Sequence, residues 1–108
     1  MRKEVERARK SARKVLSHNN PRPGEALPRT AGWGYPEPYT RDLLISSLGL
    51  LATKEEDLVR TVQLILETLA SNQSSRGLIP GLVNDPTDLE VTDTTPLFLV
   101  LLEVYRKY

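Results

Sequence analysis

The stretch TKEEDLVRTVQLILETLASN, residues 53–72, decides the fold class of this chain. Its apolar side chains recur every three or four residues, which is the period of an amphipathic α-helix. Thr53 and Glu56 have the spacing of a capping box, in which the threonine side chain accepts from the Glu56 amide and the glutamate reaches back to the Thr53 N–H. We therefore predict a helix from residue 53 to about residue 72. Its apolar face consists of Leu58, Val59, Val62, Ile65, Leu66 and Leu69.

Further along the chain, the run LFLVLLEVY at 97–105 is apolar almost all round. Both a strand and a helix are compatible with such a run. A cap at Thr92 or Asp93 favours the helix, as does Pro96, because a proline in the first helical turn removes an N–H that has no intrahelical partner. We therefore predict a helix headed by Asp93 or Thr92.

Two helices are predicted before residue 53. The first covers residues 3–16 and carries a narrow apolar stripe, as a surface helix with one docking face does. That stripe consists of Val5, Ala8, Ala12, Val15 and Leu16. The second is capped by Thr40, runs to about Ala52 and has Leu44, Ile45, Leu48 and Leu51 along one side. The chain is thus expected to be all-α.

The order of these helices predicts where a ligand would bind. Prolines and glycines separate them in two long segments, 18–39 and 73–92, and loops of this length in a compact domain are usually functional or disordered. The junction at Thr53 is tight, so the helices beside it should form an antiparallel hairpin. The second and fourth helices then run parallel, and both long loops meet at their shared N-terminal end.

Composition restricts the class of protein. The absence of cysteine excludes disulfides and thiolate metal sites, and no apolar run reaches the roughly 18 residues that span a membrane. Residues 1–17 hold seven Lys or Arg and two Glu, a net charge of +5, which leaves −4 for the rest of a chain whose total is +1. Nucleic acid or an acidic surface could contact this basic helix, but a solvated face is the favoured interpretation. We expect a cytoplasmic protein with no nucleic-acid or membrane partner.

One short stretch has the chemistry of a binding site. In GWGYPEPYTRDLL, residues 32–44, Arg41 opposes the helix dipole at a helix N-terminus while Asp42 suits it. A guanidinium donates and a carboxylate accepts, so the pair can hold neighbouring sugar hydroxyls. Trp33, Tyr35 and Tyr39 add flat faces suited to a pyranose. The alternative is structural: the aromatics pack under the loop and Arg41 pairs with an acid in a later helix.

Other site chemistry is weakly represented. A single histidine, His18, and no cysteine argue against a transition-metal site, and no serine has a nearby base that would make it a nucleophile. The acidic loop holds Asp85, Asp88, Glu90 and Asp93, which lack the order of a calcium loop. One of these acids could serve as a general acid or base, although solvated loop charges are the commoner case. No metal and no cofactor are therefore expected.

Three stretches together resemble the six-hairpin α-glucosidases, of both the glycogen-debranching amylo-1,6-glucosidase type and the glucoamylase type. They are AGWGYPEPYTRDLLISSLGLLA, LILETLASNQSSRGLIPGLVND and VTDTTPLFLVLLEVY, and they occur in the family's order over about residues 31–105. The resemblance implies an (α/α)6 toroid that hydrolyses α-glucosidic bonds with inversion. The chain would then be a single partial-toroid domain, 1–108, built of antiparallel helical hairpins that form about one third of the toroid.

The resemblance also implies roles for individual residues. Arg41 and Asp42 match the pair that binds glucose hydroxyls in the innermost subsite, and Tyr39 matches an aromatic beside the catalytic acid. Tyr35 matches a tyrosine near the nucleophilic water of glucoamylases. Asp93 matches the acidic head of the next inner helix, without a firm role. Trp33 belongs to the same aromatic loop and is expected to contact the sugar.

The main departure from the family is size, because this chain has about four of the twelve helices. An inverting glycosidase needs a carboxylic acid and a carboxylate roughly 6.5 to 9.5 Å apart, and in the family both come from later helices. No catalytic residue is therefore assigned, and the isolated chain is expected to be inactive. The expected partners are an α-glucan or glucoside and a completing chain or further copies. The chain could be a fragment, a split subunit or a non-catalytic helical interaction module.

Overall fold

The computed structural model describes residues 2–29, 39–82 and 93–108, and over these ranges the chain is all-helical. This confirms the predicted all-α class. The four helices are α1 (Arg2–His18), α2 (Thr40–Thr53), α3 (Glu56–Ser71) and α4 (Thr94–Lys107). Within the described ranges, no helix combines the length and apolar character needed to cross a lipid bilayer.

Helix α3 has the predicted apolar face but starts three residues later than predicted. Thr53 is the last residue of α2, and its Oγ1 donates to the Leu50 carbonyl (2.7 Å) and accepts from the Glu55 amide (3.2 Å). The capping box was therefore wrong, and Glu55 occupies the N-cap position of α3 without a side-chain cap. The cause is Lys54, which takes the left-handed conformation (φ 58°) and ends α2 by donating its N–H to Leu51.

Lys54 and Glu55 alone separate α2 from α3, so these two helices form the predicted antiparallel hairpin. Helix α2 packs against both α3 and α4, whereas α3 and α4 touch only slightly. The core lies along these two contacts of α2. It is made of Leu43, Leu44, Leu50, Leu51, Leu58, Val62, Ile65, Leu66, Leu69, Ile79 and Leu101.

Helix α2 buries only part of the predicted stripe: Leu44 and Leu51 are buried as predicted. Ile45 and Leu48 are 51% and 41% exposed, although both were expected on the apolar side. The buried face contains Thr40, Leu43, Leu44, Ser47, Leu50 and Leu51. It includes polar Ser47, whose hydroxyl donates to the Leu43 carbonyl (2.6 Å) and so needs no water. Since α2 is apolar on more than one side, its sequence pattern did not fix which side packs.

The start of α2 also differs from the prediction. Tyr39 is the N-cap residue, and Thr40, the predicted cap, is the first residue of the helix. The Tyr39 side chain makes no capping hydrogen bond to α2. For α4 the predicted cap position is correct, since Asp93 is the N-cap residue, but its side chain does not bond to the helix amides. Instead, that side chain pairs with Arg41.

Helix α1 contacts the core of the other three helices mainly through its C-terminal end. It has no buried residue, and Leu16 packs partly against the core. The chain after it is held by Thr61 of α3, whose hydroxyl accepts from the Asn20 side-chain amide (3.0 Å) and the Gly24 N–H (2.9 Å). Most of the predicted docking face of α1 is therefore uncovered, with Val5 58% exposed.

Candidate functional site

The N-terminal ends of α2 and α4 are held together by residues 79–82, which we call the linking segment. Ile79 bonds to α4 at both backbone groups: its carbonyl accepts from the Thr94 hydroxyl (2.7 Å) and its N–H donates to the Thr95 hydroxyl (3.1 Å). On the other side, the Thr40 N–H donates to the Gly81 carbonyl (3.0 Å). The predicted meeting of the two helix N-termini is therefore confirmed.

Arg41 and Asp93 form an ion pair across this end of the fold. The Arg41 Nε donates to the Asp93 Oδ2, and the two side chains are 60% and 40% exposed. An ion pair with this much solvent contact is weak and remains accessible to solutes. The pair agrees with the structural alternative stated above, in which an acid near the fourth helix neutralises Arg41.

Among the described residues, two buried oxygen atoms at the same end have no hydrogen-bond partner. They are the Thr40 hydroxyl, on a residue that is fully buried, and the second carboxylate oxygen of Asp93, Oδ1. A buried polar atom without a partner costs free energy, on the order of 1 to 3 kcal/mol. Both atoms are shielded from solvent, so the groups that a solute can reach at this end are Arg41, Asp42 and the exposed part of Asp93.

The structure places some of the predicted site residues together and leaves others outside its described part. Arg41 and Asp93, predicted separately, are in contact. Asp42 lies exposed in the first turn of α2, and Tyr39 is 37% exposed and pairs with Leu82 through an isolated antiparallel bridge. Trp33 and Tyr35 are outside the described residues, as are three acids of the second loop, Asp85, Asp88 and Glu90.

Sequence reasoning missed the threonines that build this end. Thr94 and Thr95 bond the linking segment, and Thr40 contributes the unpartnered hydroxyl. The sequence TDTT at 92–95 did carry a signal, because side chains that bond locally to backbone cluster at helix starts. That signal predicts only a helix cap. The observed hydrogen bonds of Thr94 and Thr95 reach back 15 and 16 residues, to Ile79.

Metal binding finds no support in the described part of the chain. Within residues 2–29, 39–82 and 93–108, no three histidine, aspartate or glutamate side chains are close enough to hold an ion. The chemistry that remains is hydrogen bonding by Arg41, Asp93 and Asp42. Comparison with family models, with curated proteins and with solved structures finds no match.

Proposed function

We propose that this chain supplies a glucose-binding subsite of an α-glucosidase, a glycoside hydrolase of the six-hairpin type that acts on starch- or glycogen-like glucans. Its four helices are about one third of the (α/α)6 toroid, and the acid and base carboxylates come from outside them. The observation that carries the proposal is the set of exposed charged groups, Arg41, Asp42 and Asp93, at the joined N-termini of α2 and α4.

Sugar hydroxyls fit this set of groups. Each hydroxyl donates one hydrogen and offers two lone pairs, so a vicinal pair can accept from Arg41 and donate to Asp93 or Asp42. The Arg41–Asp93 contact is solvent-exposed, so its loss to an inserted diol is inexpensive. Tyr39, partly exposed one residue before α2, offers an aromatic edge to a pyranose.

A maltose titration followed by amide chemical shifts tests the proposal. We expect weak binding, with the largest shifts at residues 39–42 and 93–95. Arg41→Lys should weaken that binding by roughly tenfold or more, because a lysine cannot reproduce the guanidinium fork. Arg60→Lys is the matched control, since Arg60 also pairs with an aspartate, Asp57, and is also 60% exposed.

Two results would argue against the subsite. One is the absence of shifts at these residues at saturating maltose. The other is unchanged binding in Arg41→Lys together with a large fall in melting temperature, which would leave Arg41 as a scaffold residue.

A second candidate function is a non-catalytic helical interaction module. The observation that favours it is the surface of α4, where Leu99, Val100, Leu102, Val104 and Tyr108 are all more than 40% exposed. Exposed apolar patches of this kind mark protein–protein contact sites in soluble proteins. A module of this kind would bind a protein partner through α4 and would give no maltose shifts at Arg41.

A further inference from the structure

A hollow of about 420 Å³ lies between α1 and the C-terminal end of α2. Its apolar lining comes from Ala12 and Leu16 of α1 and from Gly49 and Ala52 of α2. Arg9 and Arg13 are its charged lining residues. The volume falls within the range of small-molecule pockets, roughly 300 to 1,000 Å³.

The α2 side of the hollow is lined by residues with small side chains. Helix α1 buries no residue, and Leu16 is the member of its apolar stripe that packs partly on the core. Across from it, α2 presents a glycine and an alanine. A Cβ atom built on Gly49 would meet nothing within 4 Å. A side chain at position 49 would therefore begin in open space at the edge of the hollow.

The charges around the hollow favour an anion. Arg13 is paired with Glu55 of the α2–α3 connection. Arg9 has a weaker ionic partner. Its Nη1 lies 3.9 Å from the Glu6 Oε2, and both side chains are more than half exposed. That distance is too long for a hydrogen bond. Residues 1–17 carry a net charge of +5. Arg9 therefore has donors available for a second carboxylate.

We propose that this hollow binds a small aliphatic carboxylate. The carboxylate pairs with Arg9, and the aliphatic chain lies against Ala12, Leu16, Gly49 and Ala52. The site is independent of the proposed glucose subsite: it lies at the opposite end of α2 from Arg41 and shares no residue with it. Maltose binding and carboxylate binding can accordingly fail separately.

Calorimetric titration with octanoate and with 1-octanol tests the site on the full chain. The two ligands share an alkyl chain, and only octanoate carries a charge. We expect octanoate to bind roughly threefold to tenfold more tightly than 1-octanol, the gain typical of a half-exposed ionic contact. Arg9→Gln should remove this difference and leave 1-octanol binding unchanged. Arg76→Gln, which removes an exposed charge outside the hollow, should preserve the difference.

Filling the hollow provides the second arm of the test. Gly49→Leu should weaken both ligands at least tenfold while leaving the melting temperature unchanged or raised, because leucine is a better helix former than glycine. Ala70→Leu adds a leucine at an exposed position of α3 and should leave both affinities unchanged. Three results would overturn the proposal: no binding of either ligand, equal binding of the two by the unmodified chain, or undiminished binding by Gly49→Leu.

Discussion

Arg41, in the first turn of α2, donates a hydrogen bond from its Nε to Asp93, the N-cap residue of α4, across 52 positions of sequence. Both side chains are substantially exposed, and the Asp93 side chain makes no capping hydrogen bond to α4. Solvent screens such a pair, so it contributes little to folding by itself.

The first prediction concerns the strength of this pair. We expect a double-mutant cycle with Arg41→Gln and Asp93→Asn to give a coupling energy below about 1 kcal/mol, the upper range for exposed ion pairs. Urea denaturation of the unmodified chain, both single variants and the double variant measures it. The Arg60–Asp57 pair on α3, with similar exposure, provides the control cycle and should give a value of the same size. A coupling of about 3 kcal/mol or more at Arg41 would mean that the pair holds the helices together.

The second prediction concerns Thr61 of α3, which binds the segment that follows α1. Its fully buried hydroxyl accepts from Asn20 and Gly24 and donates to the Asp57 carbonyl (3.1 Å). Thr61→Val keeps the shape but leaves the buried Asn20 amide and the half-buried Gly24 N–H without an acceptor, so we expect a loss of about 2 to 4 kcal/mol in the free energy of unfolding. Thr61→Ser keeps the hydroxyl and should lose about 1 kcal/mol. Chemical denaturation distinguishes them, and equal losses would contradict this role.

Helix α3 shows what the sequence pattern could predict. Its buried face of Leu58, Val62, Ile65, Leu66 and Leu69 follows from the helical period alone, because each residue's burial depends on its position around one axis. Helix α2 shows the limit. It packs against two helices and is apolar on more than one side, so its period is compatible with several buried stripes. The observed stripe depends on where α3 and α4 lie.

Arg41, Asp42 and Asp93 could be selected from the sequence, whereas the threonines at this end and the contacts could not. Arg41 is unusual as a basic residue at a helix start, where Asp42 and Asp93 carry the favoured charge. Their contact depends on the linking segment, which bonds α2 through Gly81 and α4 through Ile79. Such long-range hydrogen bonds have no local sequence pattern. The roles of Trp33 and Tyr35 stay predictions.

The third prediction concerns the ionisation of Glu103 on α4. Hydrogen bonds from the Arg106 guanidinium at 2.9 and 3.1 Å hold the pKa of the Glu103 carboxyl below its ordinary value, and Lys107 adds to this effect. Because the folded-state pKa is the lower one, the small stabilisation is present above the unfolded-state pKa and is lost as the pH falls through the folded-state pKa. An NMR titration of the Glu103 side-chain carboxyl measures it. Arg106→Gln should raise this pKa more than Lys107→Gln does, and the reverse order would be inconsistent with the geometry.

The fourth prediction concerns catalysis. We expect no hydrolysis of maltose, isomaltose or pullulan by the 108-residue chain, because inverting hydrolysis needs two carboxyl groups roughly 6.5 to 9.5 Å apart on opposite sides of the bond. The proposed subsite supplies binding groups and no such pair. Glucose release measured over long incubation tests this. Turnover that disappears on replacing Asp85, Asp88, Glu90 or Asp93 would show that the acids lie within this chain.

The last prediction concerns the uncovered surface of α4. Leu99 is 59% exposed, Val100 54% and Tyr108 56%, and Leu102 and Val104 are 41% exposed each. An apolar surface of this extent favours association, because covering it removes apolar area from water at about 25 cal/mol per Å². We therefore expect the chain to self-associate in sedimentation velocity runs as its concentration rises, unless a partner protein covers α4.

Replacing Leu99 and Val104 with glutamine should shift the chain toward monomer. Val5→Gln on α1 removes a side chain of similar exposure, 58%, from a different surface and should leave the association unchanged. A compact monomer at high concentration, or equal effects of the α4 and α1 variants, would show that α4 is not the contact surface.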